Sequence, residues 1–367
     1  MVGWEPVAEL DVTDASFSRV WNGRSGWSAK APFDQGVWDL CQTDGVQATG
    51  LGVVVYQDGH QWVGVMGDGY PLLVDGETLE FAGISLLSCL GWRVPAPNPA
   101  APWTAGGNEF WTATGSRAGV WTQLNAQCGT TAFANRRLQP DWSFTAITSG
   151  PTSQISARWS PTLLELVETV GRGHEVVFDP LLVQLPDPHV VCDIKYLPDS
   201  GDPVAVLSPD LGDVESWRVG TSRNWRPWTV AGGKGEGASR PLASAAGGGE
   251  AGWEHREEWL EAADADTNDL LTQRRTARNA ERMQQAGQPL ELVLSGSGQT
   301  VFGRDFAVGD IVLVDVPRLA MVKARVLEAT TTVRGAQVST RVVVGSGVFD
   351  ARMVPNHQVR IGRLEGR

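Results

Sequence analysis

The chain has 367 residues, 42% of them hydrophobic and 20% charged, and a formal net charge of -12. It is too long for one ordinary core, so roughly two to four domains are expected. The acidic balance works against adhesion to DNA, RNA or an anionic membrane; it leaves open a duplex passing a repelling wall, and it serves solubility equally well.

The N-terminus, Met1-Val2-Gly3-Trp4-Glu5-Pro6, has no basic segment followed by an apolar run, which argues against a secretory signal. No apolar stretch of about 18 residues occurs, so no spanning helix is expected. Cys41, Cys89, Cys128 and Cys192 are far apart and read as free, mostly buried thiols of a protein made in the cytosol. Tryptophan is frequent, at 16 residues, with eleven at or before Trp159.

Residues from about 7 to 85 read as antiparallel β. Asp-Gly pairs at Asp44, Asp58, Asp68 and Asp75 favour two-residue turns, because glycine tolerates positive φ. The clearest hairpin joins 52–57 to 60–65 through Asp58-Gly59, and a second joins 72–74 to 77–81 through Asp75-Gly76. Strands this short at this spacing suggest a barrel or sandwich. Leu86 to Leu90 then forms a helical turn ended by Gly91.

From about 93 to 155 the pattern weakens. Pro95, Pro97, Pro99 and Pro102 mark an extended connection, and a small β-rich insertion follows. Ser160 as cap, Pro161 at the first position and Gly171 at the end then bound a helix, with Leu163, Leu164, Val167 and Val170 on one face. Strands are expected at 175–178, 190–194 and 204–207, with β character again at 217–219 and 228–230. A second helix is expected from Asp269 to Ala286, capped by Thr267 or Asn268 and stopped by Gly287 and Pro289. The last unit is β once more, at 290–295, 311–316, 321–329 and 338–344, with Arg334-Gly335 as its hairpin turn. Ile311-Val312-Leu313-Val314 is continuously apolar, which predicts burial on both faces.

The chemical motifs fail one by one. Asp264-Ala265-Asp266-Thr267-Asn268 opens like a calcium loop, but position six is Asp269 and position twelve is Arg275, so an acidic helix start is the better reading. Gly232-Gly233-Lys234-Gly235 lacks the Lys-Ser/Thr step of a phosphate loop and reads as a turn. His60, His174, His189, His255 and His357 are scattered without a zinc spacing. Cys128 with a distant histidine is a weak nucleophile pattern, better read as a structural thiol. The tryptophan excess raises one alternative, stacking on sugar rings, against the commoner core or interface role.

Several of these pieces, in this order, resemble the tail-tip hub (minor tail) proteins of actinobacterial siphophages, which are similar to the baseplate hub of contractile-tailed phages. They are the helix of 161–170, the glycine-rich Gly232 to Gly237, the charged Glu254 to Glu261, the helix of 269–286, and Phe302-Gly303-Arg304-Asp305 leading through Gly309-Asp310 into 311–316. At the other end, Leu79 to Leu87 running on to Arg93-Val94-Pro95 looks like the family's strand, short helix and proline-rich exit. The resemblance implies two tube-like β-barrels per chain and a trimer that sets six barrels in a ring, joining a sixfold tail tube or distal tail protein to threefold tip components. Its partners would be other copies of the chain, the distal tail or tail tube protein, the tape measure protein, and other minor tail proteins or fibres. DNA would pass without specific binding.

The combined reading is a mainly β chain with some α: a barrel at 1–92, a β-rich insertion at 93–158, a central α+β region at 159–288, a second barrel at 289–350 and a polar tail at 351–367. The resemblance implies a structural protein of the virion tail tip, made in the host cytoplasm, and no catalytic, cofactor-binding or metal residues and no cofactor are expected. The alternative is a glycan- or receptor-binding module of the same tip.

Overall fold

The computed structural model describes residues 11–42, 52–57, 60–66, 72–74, 76–99, 111–139, 141–147, 150–157, 162–183, 188–219, 228–245, 257–262, 268, 271–272, 275, 290–296, 298–317 and 321–345. The chain divides into two compact units. The larger is Met1–Arg218 with Glu291–Val344, and the smaller is Val219–Leu290 with Gly345–Arg367.

The larger unit opens with β1 (Asp14–Val20) and β2 (Gly26–Pro32), the short helix α1 (Gln35–Gln42), then β3 (Gly52–Gln57), β4 (His60–Val65), β5 (Leu72–Val74) and β6 (Thr78–Ser85). Both expected hairpins form, Gln57 opposite His60 across two residues and Val74 opposite Thr78, so the second loop is one residue longer than expected and takes in Glu77. Asp58 and Gly59 themselves lie outside the described residues. Helix α1 interrupts what reads as continuous β; Asp34 accepts the Val37 amide at 2.9 Å and starts it. The expected turn after β6 is a 3-10 helix, Leu86–Trp92, with Leu86 to Leu90 buried.

The insertion holds β7 (Trp111–Ser116), helix α2 (Leu124–Cys128), β8 (Asp141–Ala146) and β9 (Thr152–Ala157), so it is less purely β than its composition implies. It is followed by α3 (Leu163–Leu166), which runs on as a π turn over Val167–Gly171. The cap is Thr162, which accepts the Glu165 amide at 3.3 Å while Glu165 accepts the Thr162 amide at 2.9 Å. The expected cap and first residue, Ser160 and Pro161, lie outside the described residues. Gly171 does not end the helix. It is buried, and a Cβ there would stand 3.2 Å from Asn22 and from Phe178.

Next come β10 (Val176–Val183), β11 (His189–Tyr196), β12 (Ala205–Leu207) and β13 (Val214–Val219). β8 pairs in parallel with β11 from Asp141↔His189 to Ala146↔Ile194. The insertion and the central region therefore share one core, where Trp121, Leu124, Trp142, Ile155, Leu163 and Val190 are at most 1% exposed. Each such side chain contributes roughly 1.5–3 kcal/mol by leaving water.

The smaller unit has β14 (Trp228–Gly232), β15 (Leu242–Ala245) and β16 (Glu257–Glu261) in the order β15-β14-β16. Its core is Ala231, Ala262 and Leu271, all at most 2% exposed, with Ala243 and Leu260 packed against them. Most of the expected helix of 269–286 lies outside the described residues.

The chain closes with β17 (Leu290–Leu294), β18 (Ile311–Val314), β19 (Val322–Arg334) and β20 (Gln337–Gly345). Its main sheet has twelve strands, running β13-β17-β20-β19-β1-β2-β6-β4-β3, with β18 and β12 branching from β19 and β5 from β6. The N-terminal and C-terminal β segments thus meet in one sheet. The seam is β1 against β19, antiparallel from Asp14↔Arg334 to Val20↔Glu328. Besides β20, β19 can serve both β18 and β1 because it is 13 residues long. Its first residues pair with β18, from Val314↔Val322 to Ile311↔Arg325, and its later ones with β1. A strand of that length spans about 43 Å.

Candidate functional site

Where the two β segments meet, β1 runs out into Trp21 and Asn22, both 2% exposed. Asn22 turns the chain at φ 51°, a left-handed value that asparagine tolerates better than most residues. The indole N–H of Trp21 and the amide of Asn22 both donate to Val176 O, at 2.9 and 2.7 Å, and Asn22 Oδ1 accepts the Phe178 amide at 3.1 Å. This turn pins the end of β1 to the start of β10.

Two arginines attend the Trp21 ring. Arg325, 1% exposed on β19, sits 4.5 Å from the ring centroid, and Arg172, at the end of the α3 helix, sits at 5.9 Å. Arg325 donates twice to Asp199 Oδ1, at 3.1 and 2.7 Å, once to Leu197 O at 2.6 Å, and to Gly309 O. Arg172 donates to Trp21 O at 2.8 Å and pairs with Glu168 at 3.3 Å. Glu175 extends the chain of charges. It pairs with Arg117 and accepts the Asp199 amide at 2.9 Å. Trp21, Arg117, the 168–175 stretch, the 197–199 stretch, Gly309 and Arg325 are thereby fixed to one another by charge-assisted bonds.

Beside the turn lies a cleft of about 120 Å³, lined by Arg19, Trp62, Asp179, Lys195 and Asp310 among others. Asp179 is held by Lys195 at 3.1 Å and by Arg19 at 3.7 Å. Burial raises the Asp310 carboxyl above its usual range, although it accepts the Ala307 amide at 2.8 Å. Its charges are two cations against two carboxylates, and no histidine or cysteine lines it.

Among the described residues, those singled out for chemistry are not brought together. Cys128 is fully buried, its thiol pushed up to about 12 by burial, and it donates weakly to Leu124 O at 3.6 Å. His174 is instead the partner of Trp121, whose indole N–H donates to Nδ1 at 3.3 Å; burial and Arg117 lower its pKa to about 4. Gly232 ends β14, and the Gly233 carbonyl is taken by Arg240 at 2.9 Å, so the glycine-rich stretch is a turn held by its own chain. Asp264 to Thr267, His255 and His357 lie outside the described residues. Among the described residues no group of three or more His, Cys, Asp or Glu side chains is placed to hold a metal ion, and no helix is long and apolar enough to cross a membrane.

The sequence reading missed the Trp21 junction. Its signals are Asn22-Gly23 after a strand and a lone arginine inside Ala324-Arg325-Val326-Leu327. Among the described residues six tryptophans, at 21, 27, 62, 111, 121 and 142, are buried, which assigns those six to the core role.

The fold is shared with a solved tail protein. The tail protein from Neisseria meningitidis MC58 superposes with a TM-score of 0.54 at 12% identity, covering 91% of this chain and 92% of that one. The 43 kDa tail protein of prophage MuSo2 from Shewanella oneidensis gives 0.48 at 12% identity, covering 91% and 93%. The prophage tail protein gp18 from Listeria monocytogenes EGD-e gives 0.43 at 11% identity, covering 93% and 90%. No curated protein sequence matches the chain. The Siphovirus ReqiPepy6 Gp37-like protein model matches residues 4–346, and the chain belongs to that family of siphovirus tail proteins.

Proposed function

We propose that this tail protein is a structural hub of the tail tip and not an enzyme. Three copies would form a ring on the tail axis, joining the sixfold tail tube or distal tail protein to threefold components below, with a channel for the genome. The observation that carries the reading is the β1–β19 seam, which ties the N-terminal and C-terminal strands into one sheet over seven residue pairs. Within that sheet the segments 1–92 and 289–350 would act as the two tube domains. A cyclic trimer built from one surface meeting a different one closes without growing into a fibre. The buried Trp21 junction supports the reading, since a ring that bears load needs its two halves fixed to each other. Further contacts would be with the tape measure protein and with other minor tail proteins or fibres, and DNA would pass a neutral to acidic wall without specific binding.

The test is genetic and biochemical together. Phage lacking this chain should make capsids and tails that fail at the tip, and supplying the chain in trans should restore infectious particles. Purified chain should release no products from peptidoglycan or polysaccharide. Normal tails without the chain, or turnover abolished by changing Cys128 or a single histidine, would overturn the proposal.

A further inference from the structure

Among the described residues Trp92, Trp217 and Trp259 are exposed, and the third sits in a built setting within the smaller unit. On β16, Trp259 and Glu261 share a face with Val230 and Gly232 of β14, by the register Val230↔Trp259 and Gly232↔Glu261. The opposite face, with Ala231 and Leu260, is the one that packs the core. The indole leans over Gly232, where a Cβ would stand 2.4 Å from Trp259 Cζ2. The Arg240 guanidinium lies 5.2 Å from the ring centroid and is itself fixed, donating to Gly233 O at 2.9 Å and Gly232 O at 3.1 Å and pairing with Glu261. The indole N–H donates to Glu261 Oε2 at 3.2 Å. The ring is therefore held in one orientation, yet it remains 52% exposed.

We propose that Trp259 is a stacking platform for a pyranose ring of a neutral oligosaccharide on the ring face away from Arg240, with Glu261 at the indole edge and Arg240 over the ring to bond the sugar hydroxyls. A ring already fixed loses little entropy on binding. The carboxylate and guanidinium cancel in charge, which suits a neutral ligand rich in hydroxyls more than an ion. A nucleobase would stack equally well on an indole, but its phosphates meet a chain of net charge -12. Covering the platform with an apolar protein surface would strip water from the Arg240–Glu261 pair, whereas hydroxyls replace those water bonds. The inference concerns the smaller unit and stands apart from the hub reading.

The test is titration of the full chain, labelled at its indole nitrogens, with tetramers of β-1,4-linked N-acetylglucosamine and of β-1,4-linked glucose, followed by NMR. Absence of one resonance in Trp259→Phe identifies the Trp259 signal, and that variant, which should fold and keep an aromatic face, should retain affinity within about threefold. The Trp259 signal should shift with at least one tetramer, half-saturating near about 1 mM. Trp259→Ala should weaken binding at least about tenfold, and Gly232→Ala, which displaces the ring without removing it, by a similar factor. The proposal is overturned if neither tetramer moves the Trp259 signal up to about 20 mM, or if Trp259→Ala binds as well as the unaltered chain. It is equally overturned if Trp259 changes only when another tail protein is added, which would make the platform a protein contact.

Discussion

Arg325→Ala should be among the most damaging single changes in the larger unit. The guanidinium makes two bonds to Asp199, one to Leu197 O and one to Gly309 O, and lies 4.5 Å from the Trp21 ring centroid. Asp199 is 52% exposed at its side chain, so its charge finds water again and adds little to the loss. The buried Gly309 carbonyl does not, and an orphaned buried acceptor costs about 1–3 kcal/mol; the half-buried Leu197 carbonyl adds less. The lost ring contact adds about 0.5–2 kcal/mol, giving roughly 2–5 kcal/mol in all. For a unit of this size that is a fall in Tm of about 4–10 °C. The assay is thermal and urea unfolding followed by near-ultraviolet circular dichroism. Asp199→Asn, which keeps an acceptor in place, should cost no more than about 1 kcal/mol. A double-mutant cycle of Arg325→Ala with Trp21→Leu should show coupling of about 0.5 kcal/mol or more. If Arg325→Ala costs less than about 1 kcal/mol, the junction does not hold the two β segments together and the reasoning fails.

His174 has a folded pKa of about 4, below its ordinary value of 6.5, because of burial and Arg117. The stability linked to its neutral form is therefore complete above about pH 6.5 and is lost as pH falls toward 4; the shift, reduced for partial exposure, amounts to about 1–2 kcal/mol. His174→Gln should flatten that acid limb in a plot of urea midpoint against pH, and an unchanged limb would contradict the assignment. The thiols of Cys89 and Cys128, both pushed up to about 12 by burial, and that of Cys192, also raised, should not react with a disulfide reagent until the chain unfolds. Gly309→Ala should destabilise by about 2–4 kcal/mol in urea unfolding, because its φ is 95° and the new Cβ would stand 2.3 Å from Val177 Cγ2.

Much of the strand pattern is legible in the sequence because turn chemistry is local. Gln57↔His60 and Val74↔Thr78 follow from Asp-Gly between β-branched runs. The seam between the β segments is not local, and it was missed for a definite reason. The strand expected at 321–329 continues to Arg334, and the unread part is Thr330-Thr331-Thr332-Val333. Those threonines look polar in a hydrophobicity pattern, yet they are the residues that face β1, with Thr331 2% exposed and bonded to Thr340 at 3.1 Å. Threonine fits a strand by its branched Cβ, and its hydroxyl finds a partner inside the sheet. Helix α1 and the short helices of the insertion were missed because a helix of five to eight residues carries little periodicity. The Trp21 junction draws its residues from Trp21, Arg172, Asp199 and Arg325, and no spacing along the chain reveals that they meet.

The hub proposal is tested most directly by the symmetry of the tail tip, seen by cryo-electron microscopy of intact virions with this chain fitted to the map. The account predicts three copies on the tail axis, the segments 1–92 and 289–350 alternating around a central channel whose wall is neutral to acidic. Six copies of the chain at that level, or copies placed off the axis as a peripheral fibre, would contradict it.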